Sequence, residues 1–314
     1  MKKFLLPFIL AFLCITVCYS QNDGWNITTT NHDNYTGVVV ANGRIGILPS
    51  YKPFTVEQII LNNVYEKESE LGVSRILKGM NFGNLDLEID GEKITENNIS
   101  DWKQTLNMKE ARFTTSFNFK DKARVTYSIY ALRNLPYAGY IDISVEAKKD
   151  IKVKATGKIL TPEDFKNPNS TFRVLKDLET TMPILQTVAS SKFGRQKVAT
   201  SATFIWHDIN SSREDQRPEL TQNKVSEYDN ELSFQKSIQK GKSLDFAWAA
   251  AETSSQDFFD PQNESERFVI FCLLNSKESL LKAHKDLWAN LWKGDIIIDG
   301  DLQTQQDVRL ALYH

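Results

Sequence analysis

The side chains with chemistry to offer are few, and their spacing ties none of them into a reactive constellation. Asp86, Glu88 and Asp90 alternate with Leu85, Leu87 and Ile89. Three carboxylates on one strand face are the oxygen donors that Ca²⁺ collects, but alternation alone predicts a solvated sheet face equally well. Trp206-His207-Asp208 sets an imidazole beside a carboxylate, yet neighbours along a strand point to opposite faces, so a structural role is expected. His32, His207, His284 and His314 lack metal-ligand spacing, and Cys272 has no evident partner. Asn42-Gly43-Arg44-Ile45-Gly46 lacks the glycine pattern and following helix of a phosphate cradle and reads as a hairpin turn. Trp288 and Trp292 carry rings that stack on sugars, but they share one apolar helix face, which favours burial between domains. These residues nominate no catalytic, metal or cofactor-binding group, and no cofactor is expected.

The elements that would position any such group are mostly strands. Gly37 to Ala41 and Arg44 to Leu48 flank Asn42-Gly43, the strongest short hairpin signal because both turn residues tolerate positive φ. Leu85 to Asp90 alternates and ends at Gly91. Strand patterning also marks Ala111 to Phe119, Ala123 to Ala131, Tyr140 to Ala147, Ile151 to Thr156 and Ala199 to Trp206. Leu232 to Gln239, Ser243 to Ala251 and Phe268 to Leu273 read the same way. So many strands in succession predict a mainly β fold, a large antiparallel β-sandwich. Thr161 to Lys197, with Pro162, Pro168 and Pro183, is expected to be a long connection of the kind that forms binding edges.

Helical periodicity begins at Ser276, an N-cap. Leu280, Leu281, His284, Leu287, Trp288, Leu291 and Trp292 then share a face, and Gly294 follows the end. A second helix starts at Asp301, where Leu302, Val308, Ala311 and Leu312 recur without a closing Gly, Asn or Pro. Leu310, Leu312 and Tyr313 are expected to stay uncovered, leaving the chain prone to aggregate, and a partner domain is expected after His314.

Lys2 and Lys3, an apolar run from Phe4 to Val17 and Cys18-Tyr19-Ser20 predict a signal peptide over residues 1–20. The run is too short for a convincing membrane span. Cys18 as a lipidated residue is an alternative, disfavoured by the bulk of Val17. Loss of Lys2 and Lys3 takes the net charge from -2 to -4 and leaves 36 of the 38 basic residues, spread along the chain, which argues against a nucleic-acid partner. Cys14 and Cys18 leave too, so no internal disulfide is expected and stability rests on core burial. Asn-x-Ser/Thr triplets at Asn26, Asn34, Asn98, Asn169, Asn210 and Asn263 are expected by chance in an Asn-rich chain.

The C-terminal motifs are sharper. Trp288 to Trp292, Asp295-Ile-Ile-Ile-Asp-Gly-Asp301, Gln305-Gln306, Arg309 and Leu312-Tyr313-His314 resemble the junction of glycoside hydrolase family 65. There a tryptophan-bearing linker helix leads through an "Ile-x-Gly-Asp" turn into the first helix of an (α/α)₆ barrel. Tyr35 to Ile47 is similar to the family's "Gly-Asn-Gly" segment, with Ala41 in place of the first glycine. Leu106 to Thr114 is similar to its "Leu-Asp-Met-Arg-x-Gly" strand, with Asn107 and Ala111 as departures.

The resemblance spans about Tyr35 to His314. It implies a galactose-mutarotase-like super-sandwich over residues 21–273, a linker helix over 274–294 and the start of a truncated helical catalytic domain over 295–314. It also implies an α-glucoside substrate, a homodimer through the sandwich, and an inverting mechanism by hydrolysis or phosphorolysis. The family's general acid, a barrel glutamate, falls beyond His314, so no catalytic residue is carried over and the chain alone is expected to be inactive. The alternative is a stand-alone carbohydrate-binding or structural module.

Overall fold

A computed structural model describes residues 24–176, 181–206, 218–226 and 228–314. The expected signal segment, Cys14, Cys18, His207, Asp208 and Asn210 lie outside them. The strands run β1 (Asn26–Thr29), β2 (Val40–Ala41), β3 (Ile45–Pro49), β4 (Val56–Lys67), β5 (Ser74–Lys78), β6 (Leu85–Ile89), β7 (Glu92–Lys93), β8 (Ile99–Asn107) and β9 (Arg112–Phe119). They continue as β10 (Ala123–Ala131), β11 (Ala138–Ala147), β12 (Ile151–Lys158), β13 (Phe165–Lys176), β14 (Thr181–Ser191), β15 (Lys197–Trp206), β16 (Thr221–Lys224), β17 (Asn230–Ile238) and β18 (Ser243–Ser254). Three helices close the order: α1 (Pro261–Leu274), α2 (Lys277–Leu291) and α3 (Leu302–Tyr313). Among the described residues no helix is long and apolar enough to cross a membrane.

A nine-stranded antiparallel sheet, ordered β1-β8-β9-β10-β11-β18-β15-β14-β13, is the main layer. A five-stranded and a four-stranded sheet, β16-β17-β12-β6-β7 and β2-β3-β4-β5, supply the second layer. Strand β18 shows how one sequence serves two interfaces. Phe246, Trp248 and Ala250 join the core between the layers, while Ala247, Ala249 and Ala251 face a second cluster with Val269 and Cys272 of α1. Period-two alternation separates bulky from small side chains, so a helix can settle on the alanine face. Gly157 on β12 makes room for Trp248, whose ring carbons would lie 2.5 Å from an added Cβ.

Phe268 to Leu273 and Thr161 to Lys197 depart from expectation. Phe268 to Leu273 is helical, not a strand. The run Phe-Val-Ile-Phe-Cys-Leu suits either element, but Asp260 caps the start by accepting from Asn263 N, Pro261 occupies the first turn, and Ser265, Val269 and Cys272 are buried at helical spacing. Thr161 to Lys197 is not a loop but carries β13 and β14. Its prolines sit where strands tolerate them: Pro168 falls at a register shift on the edge strand, and β14 pairs with β15 only from Leu185 onward, past Pro183.

Candidate functional site

The C-terminal helices dock on the sandwich through a chain of polar contacts that starts in the β2–β3 turn. Asn42 is 4% exposed. Its Oδ1 accepts from Arg44 N at 2.9 Å and Ile45 N at 3.0 Å, and its Nδ2 donates to Leu132 O at 2.8 Å and Pro136 O at 3.0 Å. The hairpin is therefore closed by a side chain, and of the two turn residues only Gly43 has positive φ, at 92°. Ala41 sits in a strand opposite Gly46, so no glycine is required there.

Arg133, in the segment Asn42 holds, donates its guanidinium to Asn42 O and its backbone N–H to His284 Nδ1, the latter at 3.0 Å. His284 Nε2 donates to Glu110 O at 2.8 Å. With one nitrogen accepting and the other donating, the imidazole fits only as the neutral ring. Burial pushes its pKa down to about 4. Glu110 lies in the turn between β8 and β9, where Ala111 takes φ 44°. The stretch read as one strand from Leu106 to Thr114 is thus a hairpin, and Ala111 stands in left-handed backbone.

Trp292 extends the docking by donating Nε1 to Met108 O at 3.0 Å, with its ring edge-on to Trp25 at 4.9 Å. Arg309 lies over Trp25 at 3.6 Å from the ring centre and pairs with Asp295 at 2.7 Å. Gln305 accepts from Ile298 N at 2.7 Å and donates to Ile296 O at 2.9 Å, while Gln306 donates to Asn26 O at 2.8 Å. Asp301 caps α3 as its sequence predicts, accepting from Thr304 N at 2.9 Å. Ser276 caps α2 in the same way.

The face of α3 turned inward is Gln305, Arg309 and Tyr313, the reverse of the apolar face that periodicity suggests. Tyr313 is covered, stacked on Trp288 at 5.4 Å, and Leu310 packs half-buried against the core, which corrects the expectation that both lie bare; of the three only Leu312 is exposed. Leu287, Leu291, Ile296, Ile297, Leu302 and Leu312 face outward, Ile297 with 81% of its surface exposed. Trp288 is buried against the sandwich, and neither it nor Trp292 presents an open ring for stacking.

The other candidates lie apart. Asp86 pairs with Lys93 at 2.5 Å and Lys158 at 3.2 Å, Glu88 with Lys154 at 3.4 Å and Asp90 with Lys122 at 2.6 Å, a cross-strand charge ladder on the solvated face. Among the described residues no group of three or more His, Cys, Asp or Glu side chains converges on a metal position. His32 stacks on Tyr51 at 5.1 Å, remote in sequence and role from His284. Cys272 lies on the buried face of α1, and burial pushes its thiol up to about 12. The docking roles of Asn42, Arg133 and Arg309 escaped a reading of residue types, because each depends on partners 14 or more positions away.

Known proteins place this architecture. Residues 23–291 match the glycosyl hydrolase family 65 N-terminal domain. A kojibiose hydrolase of Flavobacterium johnsoniae is 35% identical over 319 residues, covering 100% of this chain and 46% of the relative. Another, from Mucilaginibacter mallensis, is 34% identical over 307 residues, covering 97% and 44%. The chain thus spans about half the length of the curated relatives it matches. In fold it is similar to a protein described as a kojibiose phosphorylase from the human microbiome, with TM-score 0.74 at 13% identity over 92% of this chain and 41% of that one.

Proposed function

Because the chain belongs to glycosyl hydrolase family 65, whose N-terminal domain it carries, we propose that it is the sandwich and helical junction of an exported enzyme acting on α-glucosides. The observation that carries this reading is the two-sided junction. Its inner face is fixed by the His284, Trp292 and Arg309 contacts, while Leu287, Leu291, Ile297, Leu302 and Leu312 are turned outward. An apolar row of this kind on a rigidly held helix pair suits packing against further helices, and α3 would be the first helix of an (α/α)₆ barrel. A stand-alone module would have no use for it.

The general acid would be a barrel glutamate beyond His314. It would protonate the leaving oxygen while water attacks the anomeric carbon from the opposite face, consuming one water per bond cleaved and inverting the configuration. Water is favoured over phosphate because both relatives above 30% identity are named hydrolases, whereas the phosphorylase is similar in fold alone. Their names also favour kojibiose, a disaccharide of glucose, as the substrate. Lys2, Lys3 and the apolar run to Val17 support export to the periplasm or beyond, and the sandwich is the surface on which a homodimer would form.

The test is expression of the coding region with whatever follows His314, beside the 314-residue chain. Glucose release from kojibiose by the longer protein, without added phosphate and with none from the shorter, is the expected result. Turnover by the 314-residue chain, or a stop codon directly after His314, would overturn it.

A further inference from the structure

Helix α1 packs on β15 and β18, touches β14 and leaves the edge strand β13 largely open on that side of the nine-stranded sheet. Register and alternation place Asn169, Thr171 and Arg173 of β13 on one face with Gln186 and Val188 of β14, and Ser190 opposite Lys197 continues it. Between these residues and Gln262, in the first turn of α1, lies a groove of about 540 Å³, within the ~300–1,000 Å³ of ligand pockets. Arg173 stands opposite Ile184 and Lys197 opposite Ser190, so the two cations are rooted about 20 Å apart along β14.

Part of the wall is held rigidly. Glu266 of α1 pairs with Arg173 Nε at 2.7 Å and accepts from Gln186 Nε2 at 3.0 Å. With 53% of its side chain exposed, Arg173 keeps its two terminal nitrogens available for a ligand. Gln262 Nε2 donates to Gln186 Oε1 at 2.8 Å, which fixes a second amide in the wall. Asn167 takes φ 51° at the bulge in β13, an irregularity that re-aims side chains at a sheet edge. Among the described residues the side chains of Asn169, Thr171, Ser190 and Lys197 have no bonded partner, and all four are accessible from the groove they line.

Arg173 and Lys197 are the charged side chains among the described residues that line the groove, and no carboxylate is among them. Glu266 offsets Arg173, so the excess charge is positive and rests on Lys197. Amides and hydroxyls offer donors and acceptors together, which suits a ligand whose own hydroxyls do both. Of the apolar lining residues, register turns only Val188 to this face, too little for the hydrophobic anchors of a bound peptide. We propose that the groove between α1 and β13 binds an acidic oligosaccharide, with Lys197 and the Arg173 guanidinium pairing with its carboxylates and Asn169 and Thr171 bonding its ring hydroxyls. The groove lies at the opposite edge of the sheet from β1 and the junction, so its occupancy and glucoside turnover succeed or fail independently.

The test is calorimetric titration of the purified 314-residue chain with tetragalacturonate, beside maltotetraose as a neutral probe of equal length. Tetragalacturonate is expected to bind this open groove with a Kd on the order of 0.1–1 mM at low salt, and more weakly as salt screens the ion pairs. Maltotetraose should bind about tenfold more weakly. Lys197→Glu should weaken tetragalacturonate by about tenfold and Thr171→Val by roughly 3- to 10-fold, the worth of one hydrogen bond. Neither side chain bonds a described residue in the free protein, so the melting temperature should hold in both variants. Lys103→Glu, on the exposed face of β8 near the other edge of the sheet, changes the net charge equally and should leave the affinity unaltered. Failure to saturate at tenfold the expected Kd, equal binding of maltotetraose, unaltered affinity in either groove variant, or an equal loss in Lys103→Glu would each overturn the proposal.

Discussion

Lowering the pH from 8 to 5 should loosen the junction through His284. The ring is 0% exposed, accepts from Arg133 N and donates to Glu110 O. A second proton would leave Nδ1–H pointing at an N–H. Its pKa falls from 6.5 to about 4 because of burial, against the favourable hydrogen bond to Glu110. A depressed pKa means that the unfolded chain takes up the proton first, so the contribution is complete above pH 6.5 and is lost as pH falls toward 4. With those two values the loss at pH 5 is about 2 kcal/mol, approaching about 3 kcal/mol at complete titration. Urea unfolding followed by tryptophan fluorescence measures it, since Trp25, Trp288 and Trp292 sit at the junction. His284→Gln keeps one acceptor and one donor but cannot titrate. It should start about 1–3 kcal/mol less stable at pH 7 and lose about 2 kcal/mol less than the parent between pH 8 and pH 5. Parallel pH curves for the two proteins, or an NMR titration of His284 with a midpoint near 6.5, would refute the reasoning.

Glu252 is fully buried, accepts from Met80 N at 2.5 Å, and burial raises its pKa from 4.5 to about 8. Its stabilising contribution is therefore full below pH 4.5 and lost as pH rises toward 8, so Glu252→Gln should gain roughly 2–3 kcal/mol on the parent between pH 5 and pH 7; a pH-independent difference in unfolding free energy would contradict this. Arg309→Ala strands Asp295 and uncovers Trp25, at a cost of about 3–5 kcal/mol, and Arg309→Lys should restore only part because the ammonium lacks the fork. Hydrogen exchange across α3 checks it: protection equal to the parent in the alanine variant would show that the clamp does not hold the helix.

The sandwich was legible in the sequence because its strands carry period-two patterns, as in Ala123–Ala131, which is β10 to the residue. Where buried strands or helices lack that contrast the reading failed. Phe268 to Leu273 is apolar throughout and yields no period, so the capping pair Asp260-Pro261 was the better guide. The β13–β14 hairpin was hidden by prolines, whose harmlessness depends on which strand edge they occupy. The inward polar face of α3 was invisible for another reason: burying Arg309 is favourable only with Asp295 and Trp25 in place, a pairing that single residues do not announce.

Trp25 stands next to the first described strand, and the groups that cover it, Trp292 and Arg309, come near the end of the chain. At about 5–20 residues per second, that indole waits roughly 15–60 s after synthesis before its cover exists. Collapse of the sandwich cannot complete the junction, because β1 gains its last partners only when α3 arrives. Trp25 and the segment from Trp292 to Arg309 thus form a late, long-range latch, and a chain released before residue 309 would carry an exposed tryptophan edge for chaperones or proteases to find.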